Sequence, residues 1–237
     1  MTIRIYGNRQ LKTLPGKATR PTSGRVREAV FNIWQGTIAG CRWLDLCAGS
    51  GSMGAEALCR GASVVVGIEQ SSRATAIIQQ NWQQIANAEQ EWQVLRGNVI
   101  QQLKNLSGKQ FERIYFDPPY ASGLYQPVLE AIAQYQLLDP SGEIAVEHST
   151  QDWTPPQIPS WEICRHKIYG NTSVTFYRTG DWGLGTLRQA QCIAGDWGES
   201  ERTITPHSQL PTPNSLNRLA HWGAYIAYKQ HKTNQQG

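Results

Sequence analysis

The stretch CRWLDLCAGSGSMG, from Cys41 to Gly54, decides the fold. Its first seven residues form an apolar run that predicts a buried strand. The rest carries the spacing GxGxxG, which begins at Gly49 and predicts a loop that leads into a helix. After that helix, Ser63 to Glu69 predicts a second buried strand that ends on an acid. The stretch therefore predicts a βαβ unit of the kind that holds nucleotide-bearing cofactors.

The alternation of helices and strands continues on both sides of this unit. We predict a loop-rich start with a strand at 3–6, helices at 25–35, 55–60, 72–88, 99–106 and 125–138, strands at 92–95, 112–116 and 143–147, and a terminal hairpin at 161–168 and 173–178. Such alternation gives an α/β fold with a mostly parallel sheet, helices on both faces and an antiparallel hairpin at one edge. Residues 179–237 follow no such pattern, and 203–217 have the composition of a linker.

Composition narrows the class of protein. The 237 residues contain no apolar run that could span a bilayer, and the first residues lack the apolar core of a signal peptide. We therefore expect a soluble, cytoplasmic protein. The five cysteines are scattered and lack metal-ligand spacing, so we expect reduced thiols and no metal site.

Positive charge is concentrated at the N-terminus. Residues 1–36 contain seven Lys and Arg and one Glu, a net charge of +6, whereas the remaining 201 residues sum to −2. A basic arm before a nearly neutral domain is typical of proteins that contact a phosphate backbone. A solvated, mobile terminus has the same composition, so charge alone leaves both interpretations open.

A second informative stretch is FDPPY, from Phe116 to Tyr120, at the predicted end of a strand. The two prolines cannot donate a backbone N–H, and they turn the chain out of the sheet. The Asp117 carboxylate, the Pro118 carbonyl and the Tyr120 ring are then presented where ligands bind in open α/β sheets. A helix-capping acid followed by a proline-rich turn is the purely structural interpretation.

These groups suit a planar heterocycle that carries an exocyclic amine. The base can stack on Tyr120 while its amine hydrogens point at Asp117 and a backbone carbonyl. Acceptors in those positions favour the pyramidal nitrogen that develops when an amine attacks an electrophile. The FDPPY stretch therefore predicts activation of an amine.

The glycine loop indicates the source of the electrophile. Asp45 precedes the loop by four residues, and its carboxylate would repel a pyrophosphate but attract a cationic amino group. Glu69 stands eighteen residues after Gly51, where an acid binds ribose hydroxyls, and Asn98 follows the third strand, where we expect it to meet adenine. A sulfonium cofactor with an amino-acid end, S-adenosylmethionine, fits this loop better than a dinucleotide does. The structural interpretations are a capping Asp45, a solvated Glu69 and a turn-forming Asn98.

The order of four motifs resembles the RsmD family of 16S ribosomal RNA guanine-N2 methyltransferases over residues 1–178. The motifs are RPT and RVRE within residues 20–28, LDLCAGSG at 44–51, FDPPY at 116–120 and KIYGNT at 167–172. The resemblance implies a Rossmann-like class I methyltransferase fold with a seven-stranded sheet and S-adenosyl-L-methionine as the cofactor. It implies that the substrate is 16S rRNA in the small ribosomal subunit or an assembly intermediate, with guanine 966 as the family target.

The expected site residues fall into three groups. The catalytic group is Asp117, Pro118, Pro119 and Tyr120; the cofactor group is Asp45, Ala48, Gly49, Ser50, Gly51, Glu69, Gln70, Asn98 and Asp117; the RNA-contact group is Arg4, Arg9, Arg20, Thr22, Arg25 and Arg27. We expect a monomer with a basic arm and first helix at 1–36, a methyltransferase domain at 37–178 and an extension of unknown role at 179–237.

Three other functions stay open at this point. The first is an adenine-N6 DNA methyltransferase, because the acid-Pro-Pro-Tyr turn suits both bases. The second is an NAD-dependent oxidoreductase, which shares the glycine fingerprint but leaves FDPPY without a task. The third is a non-catalytic RNA-binding protein with a vestigial cofactor pocket.

Overall fold

A seven-stranded sheet organises the described part of the chain, which is residues 2–14, 24–151 and 153–180 of the computed structural model. In chain order the elements are β1 (Thr2–Ile5), β2 (Arg9–Lys12), α1 (Gly24–Ile33), β3 (Arg42–Leu46), α2 (Ser52–Cys59), β4 (Val64–Glu69), α3 (Ser72–Ile85), β5 (Glu91–Arg96), α4 (Val99–Asn105), β6 (Phe111–Phe116), α5 (Tyr125–Gln134), β7 (Leu138–Ser149), β8 (Trp161–Tyr169) and β9 (Thr172–Thr179).

The strands of the large sheet lie in the order β5-β4-β3-β6-β7-β9-β8. Strands β3 to β7 run parallel, whereas β9 runs antiparallel to both β7 and β8. The prediction of a mostly parallel seven-stranded sheet with an antiparallel terminal hairpin is therefore confirmed.

Both faces of the sheet are covered by helices. In β3, Trp43 belongs to a core that includes side chains of α1, α2 and α3, whereas Leu44 and Leu46 belong to a second core that includes side chains of α4 and α5. Successive side chains of a strand point to opposite faces, so a strand buried on both sides is apolar almost throughout. This explains why β3 could be recognised as a run of apolar residues.

The N-terminal segment is more regular than the sequence predicted. The strands β1 and β2 form an antiparallel hairpin, and Ile5 and Leu11 are buried in the same core as α1 to α3. The strand β2 was missed because Leu11 is the only apolar residue in Arg9–Lys12, too few for a strand pattern. Residues 2–12 thus pack on the domain.

The parallel register brings the carboxyl ends of the central strands to one edge. Leu46 of β3 pairs with Phe116 of β6, and Phe116 pairs with Val146 of β7. The next residues along these three strands are Cys47, Asp117 and Glu147.

Among the helices of the described ranges, none combines the length and apolar character that crossing a membrane requires.

Candidate active site

A cavity of about 650 Å³ lies at this carboxyl edge. It gathers predicted residues from the ends of β3, β4, β5 and β6: Asp45, Ala48, Gly49, Ser50, Glu69, Gln70, Asn98, Asp117, Pro118, Pro119 and Tyr120 all line it. The cofactor and catalytic groups predicted from sequence therefore share one cavity, with Gly51 as the exception.

Asp45 is a buried acid at the floor of the glycine loop, with 2% of its surface exposed. Its Oδ2 accepts the backbone N–H of Gly54 at 3.0 Å, so it satisfies one of the donors that the first turn of α2 leaves without a helical partner. The pKa of the Asp45 carboxyl is raised to about 8, chiefly by burial and also by the neighbouring Glu69 carboxylate, while the hydrogen bond from the Gly54 N–H acts in the opposite direction. Such a carboxyl would be stabilised by a cation and destabilised by another anion.

Glu69 is oriented by two backbone donors from different loops. Its Oε2 accepts the N–H of Gly49 at 2.9 Å, and its Oε1 accepts the N–H of Ser71 at 2.8 Å. These bonds attach the end of β4 to the glycine loop and hold the carboxylate at the wall of the cavity. Each carboxylate oxygen can accept more than one hydrogen bond, so this geometry is compatible with ribose hydroxyls as further donors.

Asn98 combines the structural interpretation with a position in the cavity. Its Oδ1 accepts the N–H groups of Ile100 and Gln101 at 3.0 and 3.3 Å, so it is the N-cap of α4. The side chain is exposed and lines the cavity. With Oδ1 used by the cap, the amide N–H₂ is the group with which Asn98 would meet a base.

Gly51 differs from the rest of the predicted cofactor group, because it does not line the cavity. Its carbonyl accepts the indole N–H of Trp82 at 2.8 Å, and a Cβ at Gly51 would lie 2.9 Å from that nitrogen. A Cβ at Gly54 or Gly67 would lie 2.2 or 2.6 Å from ring carbons of the same indole. These three glycines form a slot for Trp82, a reason for the glycine spacing that has nothing to do with phosphate.

The FDPPY turn leaves the sheet as the prolines predict. Pro118 is buried, whereas Pro119 and Tyr120 are exposed, and Tyr120 keeps 44% of its surface accessible. The hydroxyls of Tyr120 and Thr172 lie 3.1 Å apart and share a hydrogen bond. Thr172 starts β9 after the turn at Gly170, so the KIYGNT motif contributes a support for the aromatic side chain.

Several cavity residues were not assigned to the site from the sequence, and four of them matter for its chemistry or its rim. Tyr115 and Glu147 are both buried, and the Tyr115 hydroxyl donates a hydrogen bond to Glu147 Oε2. Thr13 and Leu14, which follow β2, also line the cavity and bring the N-terminal hairpin to its rim. Glu147 follows the apolar residues Ile144 to Val146, as Glu69 follows the apolar residues of β4, and this was a usable signal, whereas nothing in the pattern around Thr13 pointed to the site.

The predicted RNA contacts divide into three groups. Arg4, Arg9 and Arg25 are exposed, although Arg9 Nη1 also donates to the carbonyl of Ile85 at 3.2 Å. Arg20 and Thr22 lie outside the described residues.

The structure does not support the predicted RNA contact of Arg27. Its side chain is 9% exposed, its Nε donates to Glu56 Oε2 at 2.6 Å, and its Nη2 donates to the Arg4 carbonyl at 2.7 Å. Arg27 therefore fastens α1 to α2 and to β1 and does not present its charge to an RNA.

The acidic groups that line the cavity fit a cationic, ribose-bearing cofactor. Asp45 and Glu69 place two acids beside the glycine loop, where a pyrophosphate would add further negative charge at close range. Within residues 2–14, 24–151 and 153–180, no group of three or more His, Cys, Asp and Glu side chains is arranged to hold a metal ion.

Comparisons with known proteins place the chain in a family. The model of the family described as Conserved hypothetical protein 95 matches residues 3–178. YlbH of Bacillus subtilis is 32% identical over 172 residues, which cover 72% of this chain and 93% of the relative. Ribosomal RNA small subunit methyltransferase D of Escherichia coli is 29% identical over 181 residues, covering 74% and 89%.

A solved structure of a putative methyltransferase has the same fold. The structure of yhhF from Escherichia coli superposes with a TM-score of 0.68 at 28% identity, over 76% of this chain and 99% of that one. The predicted class I methyltransferase fold is confirmed. The chain belongs to the RsmD family of ribosomal RNA methyltransferases.

Proposed function

We propose that this protein transfers a methyl group from S-adenosylmethionine to the exocyclic N2 amine of a guanine in 16S ribosomal RNA, on the small subunit or an assembly intermediate. By family resemblance the target is guanine 966. The observation that carries the proposal is the shared cavity, in which the FDPPY turn faces the acids and the glycine loop. A base on the turn and a cofactor on the loop would meet there.

The cofactor would be held by groups at the ends of three strands. The Asp45 carboxyl suits the amino group of the methionine end, Glu69 suits the ribose hydroxyls, and Asn98 suits the adenine. The bound cofactor supplies a methyl group on a sulfonium, which is an electrophile that needs no metal. The protein's own contribution is then to align the amine and to stabilise the charge that develops on it.

The Asp117 turn is suited to that contribution. The bound cofactor would supply the methyl carbon to which the amine nitrogen bonds, and the electrons of the broken S–C bond would remain on the thioether that leaves. Asp117 and the Pro118 carbonyl would accept the two N–H groups of the amine and stabilise the growing positive charge. The surplus proton then leaves to Asp117 or to water, while Tyr120, supported by Thr172, would stack on the base.

The RNA would approach over the N-terminal hairpin. Thr13 and Leu14 line the cavity directly after β2, and the exposed Arg4, Arg9 and Arg25 lie on the same N-terminal elements. We propose that these arginines contact phosphates, that the described part of 1–36 acts with the domain at 37–178, and that the protein works as a monomer. The predictions for 181–237 concern residues outside the described part of the chain.

The test is transfer of labelled methyl from S-adenosylmethionine. Unmethylated small subunits, naked 16S rRNA and duplex DNA are offered in parallel, and the labelled nucleoside is identified by mass. We expect N2-methylguanosine from a ribosomal substrate. Loss of Asp117 in Asp117→Ala should cost about 3 kcal/mol of transition-state stabilisation, which is a rate loss of more than 100-fold.

The matched control is Glu130→Ala, which removes an acid from the exposed face of α5 away from the cavity. Asp117→Ala should retain measurable affinity for S-adenosylhomocysteine, because Asp45 and Glu69 are intact, so that loss of turnover can be measured at saturating cofactor. Near-wild-type turnover in this variant would contradict the role of the turn. N6-methyladenine from DNA would assign the protein to the other amino-methyltransferase class, and binding of NAD in place of S-adenosylhomocysteine would favour an oxidoreductase.

A further inference from the structure

Glu147 is a buried acid in the same cavity that the proposed reaction leaves without a task. It lies on β7, one residue beyond Val146, and Val146 pairs with Phe116, the residue before Asp117. Asp117 and Glu147 therefore occupy neighbouring positions on adjacent parallel strands, and both line the cavity. Glu147 has 5% of its surface exposed, and acidic side chains are seldom buried to that extent.

Two tyrosines fix the position of Glu147. The Tyr115 hydroxyl donates to its Oε2, and the Tyr125 hydroxyl donates to its backbone carbonyl at 3.2 Å. Burial raises the pKa of the Tyr125 hydroxyl, and the negative charges of Asp117 and Glu147 raise it as well, as expected if both carboxylates lie close to this one group. Glu147 is thus a preorganised acceptor beside the amine-binding turn.

The chemistry of the two candidate bases differs at the atom next to the amine. In guanine, the N2 amine is adjacent to N1–H, so the edge presents a second donor beside the amine. In adenine, the N6 amine is adjacent to an N1 that carries a lone pair and accepts hydrogen bonds. A carboxylate beside the amine-binding turn therefore matches guanine, whereas it would face the lone pair of adenine without a proton between them.

We propose that Glu147 is the specificity-determining residue of the base site, which accepts the N1–H of the target guanine while Asp117 and Pro118 receive its N2 amine. This inference rests on the proposed function and adds to it the physical basis for a choice between guanine and adenine. Tyr115 is a positioning residue, because it acts on the base only through Glu147.

The experiment replaces the target base by an analogue. Small subunits are reconstituted with 16S rRNA that carries either guanine or 2-aminopurine at the position that the wild-type protein methylates. The analogue keeps the exocyclic amine but has an acceptor in place of N1–H. We expect the wild type to prefer guanine by about 10-fold or more in kcat/KM, because 2-aminopurine leaves the buried acid without its donor.

The informative variant is Glu147→Gln, which keeps the size and can still accept from Tyr115. Its amide N–H₂ can donate to N1 of the analogue, so the preference for guanine should shrink to a few-fold or vanish, while affinity for S-adenosylhomocysteine stays unchanged. Loss of O6 from the analogue affects both proteins equally, so the change in preference isolates Glu147. Tyr115→Phe retains the acid without its donor and should give an intermediate preference, and the control Glu130→Gln should match the wild type.

The outcomes separate the two proposals. A preference for guanine that is the same in the wild type, Glu147→Gln and Tyr115→Phe overturns the role of Glu147 and leaves the methyltransferase function intact. If the wild type forms no N2-methylguanosine from the guanine substrate, the proposed function itself fails. A Glu147→Gln variant that loses activity on both bases in equal proportion also overturns the inference, because the residue would then act on turnover and not on base choice.

Discussion

Two arginines in the first turn of α1 have opposite surroundings. Arg25 is exposed, whereas Arg27, two residues later, is buried against Glu56, which also pairs with Arg60 at 2.8 Å. Cations at a helix N-terminus oppose the helix dipole, so each needs a compensating partner. Arg27 has that partner inside the protein, and for Arg25 we propose an RNA phosphate.

This difference predicts different effects of the same substitution. Arg27→Ala should lower the free energy of unfolding by about 2 kcal/mol, because a buried acid loses one of its two partners but retains Arg60. Arg25→Ala should change it by less than about 0.5 kcal/mol, and should reduce by about 1 the slope of log affinity for ribosomal RNA against log salt. Urea unfolding and RNA binding at several salt concentrations measure both. An Arg27→Ala variant of unchanged stability that binds RNA poorly would contradict the structural role.

If Asp45 pairs with the cofactor as proposed, we expect cofactor binding to depend on pH. With its pKa raised to about 8 by burial, the carboxyl of the ligand-free protein is protonated below that pH, and it must lose the proton to pair with an ammonium group. Affinity for S-adenosylhomocysteine should therefore rise from pH 6 to 8 and level off above it. Calorimetry at pH 6, 7 and 8 gives the affinities. Asp45→Asn, which can still accept from the Gly54 N–H, should bind more weakly with a flat profile, and a profile equal to that of the wild type would contradict the pairing.

At the scale of elements, α3 joins the N-terminal hairpin to the glycine loop. The Oδ1 of buried Asn81 accepts the N–H of Lys12 at 3.0 Å, and its Nδ2 donates to the carbonyls of Lys12 at 2.9 Å and Ser50 at 3.2 Å. The next residue, Trp82, fills the glycine slot. One turn of helix thus holds both the strand that leads to the cavity rim and the loop that forms the cavity floor.

The predicted effect of Asn81→Ala follows from these three hydrogen bonds of the Asn81 side chain. The substitution leaves the backbone groups of Lys12 and Ser50 without a partner, so we expect a loss of about 1–3 kcal/mol in stability and weaker binding of S-adenosylhomocysteine. Hydrogen exchange should also become faster in residues 2–12. Gln84→Ala, on the exposed face of the same helix, is the matched control. Equal affinity of the two variants for S-adenosylhomocysteine would show that the hydrogen bonds of Asn81 have no part in binding.

At the scale of the whole molecule, two buried groups give stability opposite dependences on pH. Burial lowers the pKa of His148 to about 4, so the unfolded chain binds more protons between pH 4 and 6.5 and stability falls as pH falls through this window. The contribution of Asp45 to stability changes with pH in the opposite direction. It falls as pH rises, because the folded protein keeps a proton between pH 3.8 and 8 that the unfolded chain has released. Only the Asp45 effect remains between pH 6.5 and 8.

The ligand-free protein should therefore lose up to about 2 kcal/mol of unfolding free energy as pH rises from 6.5 to 8, from one group titrating over about 1.5 pH units. Below pH 6.5 the two effects oppose each other and the profile should be nearly flat. Urea unfolding at pH 5, 6.5 and 8 provides the measurement. Asp45→Asn should abolish the loss above pH 6.5, and His148→Gln should extend it to lower pH. If the free energy of unfolding changes with pH in the same way in the wild type, Asp45→Asn and His148→Gln, the pH dependence does not come from these two groups.

The fold was predictable because its central strands are buried on both faces. Trp43 and Leu44 face different cores, which produces the apolar runs that the sequence displays. The acids were noticeable for the same reason, since Asp45 interrupts one such run and Glu69 ends another. Sequence could not reveal contacts between distant elements: the ion pair that buries Arg27 spans 29 positions, and the support of Tyr120 by Thr172 spans 52.

The slot for Trp82 imposes an order on sequence change. A single added carbon at Gly54 would lie 2.2 Å from the indole, far inside contact distance, so any side chain there is blocked while the indole remains. Replacing Trp82 first by a smaller residue opens the slot at Gly54 and Gly67, whereas Gly51 stays restricted by its φ of +70° and by Ile78, whose Cγ2 would lie 2.8 Å from an added Cβ. In evolution, a substitution at Gly54 or Gly67 therefore has to follow a substitution at Trp82. Once side chains occupy the slot, a tryptophan at position 82 no longer fits.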